Sequence, residues 1–280
     1  MSMTVNTNVM SLVAQTNLNN TQNKLNNAIT QLSSGLRINS AMDDPAGLQI
    51  ATAMQAQVNG MNQGVTNANA AISMAQVADG AMGSVTNMLQ QMRTLAVEAA
   101  NGTNTGSGDA NLQAEFTQLA QQINNTLGNT QFNGISVFSM AAGGITYQVG
   151  ANVADTVVVG SNTLATDTNI TKLATSTSVS ISSVASASAA LTAIDTALND
   201  VNSSRASNGA YEIQFQQIVS SQQINSQNTA AAVSQIMDTN YAQATSQLTQ
   251  AQIVQQAGTA MLSQANSIPQ SVLTLLSKLP

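Results

Sequence analysis

VNGMNQGVTNANAAISMAQVADGAMGSVTNML, residues 58 to 89, decides the fold. Within it Val58, Met61, Val65, Ala68, Ile72 and Ala75 stand three and four residues apart, and Asp79, Met82, Thr86 and Leu89 continue the register. Alternating gaps of that kind put one apolar stripe on an α-helix and one seam against a partner. Upstream, Asp44 before Pro45 supplies a start: the carboxylate accepts a free amide, and proline in the first turn has no amide to leave unpaired. Downstream, Asn101-Gly102-Thr103-Asn104-Thr105-Gly106-Ser107-Gly108 supplies a stop. A helix from Pro45 to about Ala99 is roughly 80 Å long at 1.5 Å per residue. A rod of that length cannot fold back on itself and needs equally long partners.

The partners lie on either side of it. Leu18, Leu25, Ile29, Leu32 and Leu36 form a narrow seam near the N-terminus, and Leu112, Phe116, Leu119, Ile123 and Leu127 form a third helix stopped by Gly128. Leu191, Ile194, Leu198 and Val201 start another long stripe, which meets Arg205, Asn208 and Glu212 in register before Phe215 and Val219. Polar groups in a seam cost stability and tend to set register; Asn208-Gly209 reads equally well as a local break. A last helical region from about Ala231 to Ala265, with Leu248 on its seam, precedes Pro269. That proline is expected to open a short tail carrying Val272, Leu273, Leu275 and Leu276.

Between Gln131 and Ser161 the period changes to two. Ile145, Tyr147 and Val149 alternate with Thr146 and Gln148, Gly150-Ala151-Asn152 turns, and Thr156-Val157-Val158-Val159 returns, which is a β-hairpin pattern. Residues 162–190 are Ser, Thr and Ala with little pattern and read as an exposed connector. The expected fold is mainly α: long antiparallel coiled-coil helices from paired N- and C-terminal regions, with a small β-hairpin insert.

Composition narrows the function. The 280 residues carry 6 basic and 12 acidic side chains, with no Cys, His or Trp. This removes thiol nucleophiles, disulfides, zinc sites and imidazole bases, and no catalytic, cofactor or metal site is expected. Six scattered cations (Lys24, Arg37, Arg93, Lys172, Arg205, Lys278) cannot neutralise a row of phosphates, so nucleic acid is not an expected partner. Apolar runs are too short to cross a bilayer, and the first residues lack the basic start and apolar core of a cleaved signal. Asp43-Asp44 reads as a helix cap rather than a paired-carboxylate site, and Met61 and Met82 as core fillers. Arg205 is a candidate for an ion pair across subunits.

Asn, Gln, Ser and Thr make up roughly 44% of the chain and stand where most coiled coils carry Glu, Lys and Arg. Charges must be desolvated when a surface is covered, whereas small neutral polar groups bond across an interface at lower cost. Most lateral helix faces are therefore expected to meet protein. The first and last helices have narrow stripes and little charge pairing. They are expected to be largely disordered in the monomer and to fold on assembly.

The motifs are specific. LSSGLRINSAMDDPAGLQIA (32–51), Leu95-Ala96-Val97-Glu98-Ala99-Ala100-Asn101-Gly102, Thr130-Gln131-Phe132-Asn133-Gly134, Val201-Asn202-Ser203-Ser204-Arg205-Ala206 and Gln255-Gln256-Ala257-Gly258-Thr259 resemble those of bacterial flagellins. The resemblance implies a filament subunit for swimming or swarming motility, secreted through the flagellar type III apparatus to the cell exterior, and not an enzyme. It implies that 1–44 plus 241–280 form an inner-tube coiled coil, assembled through Leu18, Leu25, Ile29, Leu32, Leu36, Leu248, Val272, Leu275 and Leu276. Residues 45–161 plus 191–240 would form an outer tube packed through Val58, Met61, Val65, Ile72, Leu89, Leu191, Ile194, Leu198 and Val201, with 162–190 a short variable connector in place of outer domains. Implied partners are further copies of the chain, an export chaperone, the filament cap and hook-junction proteins, and no membrane. A flagellin-sensing Toll-like receptor would meet the patch matched by Gln91, Leu95 and Glu115, with Gln91 standing where the family has Arg. The rival readings are a hook–filament junction protein and a non-flagellar secreted coiled-coil protein.

Overall fold

The computed structural model describes residues 7–103, 106–139, 143–160, 164–174 and 179–276, with side chains in the last helix as far as Pro269. Its elements run α1 (Val9–Ser34), α2 (Pro45–Ala99), α3 (Gly106–Asn129), β1 (Gln131–Phe132), β2 (Ile135–Ser136), β3 (Ile145–Gln148), β4 (Thr156–Val159), α4 (Thr168–Ala174), α5 (Val184–Met237) and α6 (Tyr241–Leu276). Residues 1–56 with 228–280 form one compact unit and residues 57–227 the other.

In the first unit α1 and α6 pair antiparallel. Leu18 lies over Gly258, Gln255 donates to Gln22 at 2.6 Å, and Leu36 is bridged to Asp238. The contact stripe of α1 holds Ser11, Thr21, Leu25 and Ala28, all buried, with Leu18 and Leu32 half-buried, and Leu36, just past the helix end, is half-buried too. Ile29 does not belong to it: it is 49% exposed, and Ala28 takes its place. The heptad through Leu18, Leu25 and Leu32 sets one row, a three-residue step sets the other at positions 21 and 28, and Ile29 falls one residue past it. On α6 the buried residues are Ala244, Ala251 and Ala265, with Leu248 half-buried. The expected tail is also corrected, because α6 continues through Pro269 to Leu276. The side chains of Val272, Leu275 and Leu276 lie outside the described residues. Helix continuity breaks instead at 238–240, between α5 and α6.

In the second unit α2 and α5 run antiparallel, with Asn62 bonded to Ser226 and Arg93 to Asp195. The stripe on α2 agrees with the sequence at 58, 61, 68, 75, 82 and 89. Its alternate row, however, is Ala71, Ala78, Val85 and Met92, each one residue before the expected Ile72, Asp79 and Thr86 series. Those three flank the seam half-buried. The main core joins Met82, Val85, Leu89 and Met92 of α2 to Phe116, Ile123 and Leu127 of α3 and to Ile194 and Val201 of α5. Residues 162–190 were expected to be an exposed connector; instead Leu164, Ile170, Leu173, Val179, Ile181, Ala187 and Ala190 enter that core. Their apolar residues are spaced by a short helix and a turn, so no single period shows them in the sequence. Nor does Asn208-Gly209 break α5, which is continuous from Val184 to Met237.

Both expected strands form, β3 opposite β4 with Ile145 facing Val159 and Tyr147 facing Val157. A second, very short hairpin, β1–β2, turns on Asn133 and Gly134, both at positive φ, the signature of a two-residue turn. The bend of the longer hairpin lies directly on α2. A Cβ on Gly64 would overlap the carbonyl of Val149, and one on Gly60 would come within 2.7 Å of Ala151 Cβ. Gly64→Ala must push backbone, so it is expected to destabilise by about 2 kcal/mol. Gly80, also on α2, faces open space, and Gly80→Ala should stabilise by about 0.5–1 kcal/mol through helix propensity. Thermal melts of the two variants should move in opposite directions.

Candidate assembly surfaces

The stretch LSSGLRINSAMDDPAG (32–47) builds a tight junction. Gly35 ends α1 in the left-handed conformation (φ 74°), its N–H on Gln31 O, a cap that favours glycine. Chain reversal then brings Leu36 beside Asp238, with Thr239 N–H donating to Gly35 O at 2.9 Å and Arg37 N–H to Met237 O at 2.6 Å. The Arg37 guanidinium donates to Ile236 O, so a cation closes the carbonyl end of α5, where the helix dipole favours it. Ile38 is buried beneath. Asp44 starts α2 as read from the sequence: its Oδ1 accepts Gly47 N–H at 2.9 Å, with Pro45 in the first turn.

Asp43 holds the loop itself, its Oδ2 accepting from Asn39 N–H at 3.0 Å, Ser40 N–H at 2.9 Å and the Ser40 hydroxyl at 3.1 Å. The Ser40 and then Asn39 backbone bonds hold the carboxyl below its ordinary range. Only the carboxylate accepts all three bonds. The contribution is therefore complete above the unfolded-state value and is lost as pH falls through the lower folded-state value. Amide exchange at Asn39 and Ser40 is expected to accelerate, beyond the intrinsic pH trend, between about pH 5 and a pH below the lowered value of Asp43. Asp43→Asn should exchange fast at both pH values.

The α6 side of its pairing with α1 is built mainly of small residues, set against the leucine row of α1. Ser11, Thr21, Ala28, Ala244, Ala251, Gly258 and Ala265 line the contact with Leu18, Leu25, Leu32 and Leu248, while Val9, Met10, Leu12, Val13, Ile29, Ile253 and Met261 are exposed. Leu12 and Met261 are 61% and 63% exposed. An isolated two-helix coil would place its larger apolar residues in the seam.

In the α2–α5 seam each polar residue read from the sequence finds a partner on α2. Arg205 forks onto Asp79 at 2.8 and 3.3 Å, Asn208 donates to Ala75 O at 2.6 Å, and Glu212 accepts from Gln76 at 3.2 Å. Arg205 thus pairs within its own chain. Asp79 raises the guanidinium pKa through the hydrogen bond first and charge second. With side chains 37% and 47% exposed, the pair sets register more than it stabilises. Of the other packing residues named above, Val58, Met61, Leu89, Ile194 and Val201 are buried, and Val65, Ile72, Leu191 and Leu198 half-buried. Gln91 and Glu115 are exposed, whereas Leu95 sits inside the main core.

Gly64 and the Arg37 contact with the end of α5 were missed by sequence reasoning. The pair of glycines at 60 and 64, one helical turn apart, was the available signal for the hairpin seat. Among the described residues no three acidic, His or Cys side chains gather into a metal site, and no helix is long and apolar enough to cross a membrane.

The bacterial flagellin N-terminal helical region model matches residues 5–142 and the C-terminal helical region model residues 191–276. A flagellin of Halalkalibacterium halodurans is 36% identical over 98% of this chain and all of its own length. The chain belongs to the bacterial flagellin family. Another flagellin, from Treponema pallidum, is 32% identical over 98% of this chain and its own full length. The crystal structure of Bacillus cereus flagellin, 30% identical, matches with a TM-score of 0.50 over 56% of this chain and 88% of that one. Flagellins are structural subunits that polymerise into the extracellular flagellar filament, and this chain is such a subunit rather than an enzyme.

Proposed function

We propose that the paired terminal helices, residues 1–44 with 241–280, are the inner wall of the filament. Residues 45–161 and 191–240 then form the surrounding layer. The observation that carries this is the outward rows: among the described residues Leu12, Val13, Ile253 and Met261 are each more than half exposed, while α6 turns Ala244, Ala251, Gly258 and Ala265 toward α1. Exposed apolar rows of this extent call for a protein cover, and a second copy supplies one by heterologous contacts that repeat without closing. The remaining interactions follow from the same need. An export chaperone shields α6 until it packs, and cap and hook-junction proteins meet the ends of the polymer outside the cell. The Toll-like receptor patch is reduced here, since Gln91 lacks a guanidinium and Leu95 is buried.

Electron microscopy of concentrated purified protein tests the reading. The full chain should grow long filaments, and a chain lacking residues 1–40 and 245–280 should not. Tubes of normal width from the shortened chain would overturn it. Amide exchange supplies the second arm: both termini should exchange freely in the monomer and become protected in the filament.

A further inference from the structure

We propose that Asn8 and Pro269 form a clasp that sets the register of α1 on α6, making Asn8 a positioning residue for assembly. This rests on the filament reading above. Proline has no N–H, so Pro269 leaves the carbonyl four residues before it, that of Ala265, without its helical partner. Ala265 is buried in the α1–α6 contact, where an unpaired carbonyl is costly. Asn8 Nδ2 donates to that oxygen at 2.8 Å, while Asn8 Oδ1 accepts Ser11 N–H at 3.1 Å and caps α1. One side-chain amide, used at both ends, starts the first helix and mends the last.

Beyond the junction at Leu36–Asp238 and the Gln255–Gln22 bond, the apolar seam itself discriminates register poorly. Positions 244, 251, 258 and 265 of α6 are Ala, Ala, Gly and Ala, seven apart, opposite a leucine heptad at 18, 25 and 32. Sliding α1 by one heptad places each leucine over another small residue, at little apolar cost. Polar groups resolve such ambiguity. Pro269 is the one proline in α6, so it makes a single carbonyl of that helix special, and Asn8 reaches it in one register alone.

The test is a double-mutant cycle in the full chain. Asn8→Asp keeps the capping oxygen and loses the donor; Pro269→Ala restores an N–H to Ala265 O. Asn8→Asp alone is expected to raise the critical concentration for filament growth about tenfold, but less than about twofold in the Pro269→Ala background. Because the chain has no cysteine, spin labels placed by Lys24→Cys and Gln252→Cys report register in the filament. Asn8→Asp should add a population displaced by about 10 Å, one heptad of helix rise. Asn8→Ala, which also loses the cap, should be the poorest assembler of the series. Equal losses in both backgrounds, or an unchanged label distance, overturn the clasp while filaments still form. An unsubstituted chain that grows no filaments overturns the filament reading and the clasp together.

Discussion

Leu12→Asp is expected to leave the isolated chain folded as before and to abolish filament growth. Leu12 is 61% exposed in the chain, so the substitution removes little packing there. It lies in the first turn of α1, where the helix dipole favours a carboxylate. On the proposed reading the outward rows of α1 and α6 are covered in the filament, and an unpaired carboxylate left in such a contact costs about 3–5 kcal/mol. That corresponds to a rise in critical concentration of at least about a hundredfold. Leu12→Ala should fall in between, since it loses area without burying a charge. Circular dichroism should be superimposable for all three proteins, and sedimentation should separate them. Filaments of the Asp variant at ordinary concentration would show that this face meets solvent.

Phe215→Ala should produce the largest loss of folding stability. Phe215 is fully buried, packs with Ala68, Ala71 and Val149, and meets the Tyr147 ring edge-on with centroids 5.5 Å apart. Truncation leaves a cavity where α5, α2 and the hairpin converge, at a cost of about 3–5 kcal/mol. For a unit of this size that lowers Tm by about 10 °C or more. Tyr147 gives an independent signal. Burial raises its hydroxyl pKa, and the hydroxyl lies 2.9 Å from Met74 Sδ. If the hairpin loosens, spectrophotometric titration of this tyrosine should move back toward the ordinary value. A variant that melts as the parent does would mean that the hairpin is held by its strand pairing and glycine seat alone.

Helix period, helix starts and the β-hairpin were legible because they are local. Asp44 and Pro45 lie within one turn of the amides they affect, and the three-and-four spacing of α2 repeats many times over its 55 residues. The phase of a stripe was harder. Ile29 against Ala28, and the Ile72 row against the Ala71 row, differ by one residue. Hydrophobicity points to the larger side chain, while close approach of two helices selects the smaller. The junction drew partly on motif resemblance, and the outward apolar rows were not read from the sequence, since no period announces them.

Mainly helical character with a β-hairpin insert, the absence of catalytic chemistry and membership of the filament-forming family were determined by the sequence by itself, because composition, periodicity and motifs suffice for each. Only the tertiary structure decided that α6 runs through Pro269, that Leu164, Ile170, Leu173, Val179 and Ile181 enter the core, that Gly60 and Gly64 seat the hairpin, and which rows of the terminal helices face out. The physical reason is distance along the chain. A freed carbonyl at Ala265 is satisfied by an amide 257 residues away, and a glycine is required on α2 by a backbone that returns about a third of the chain later.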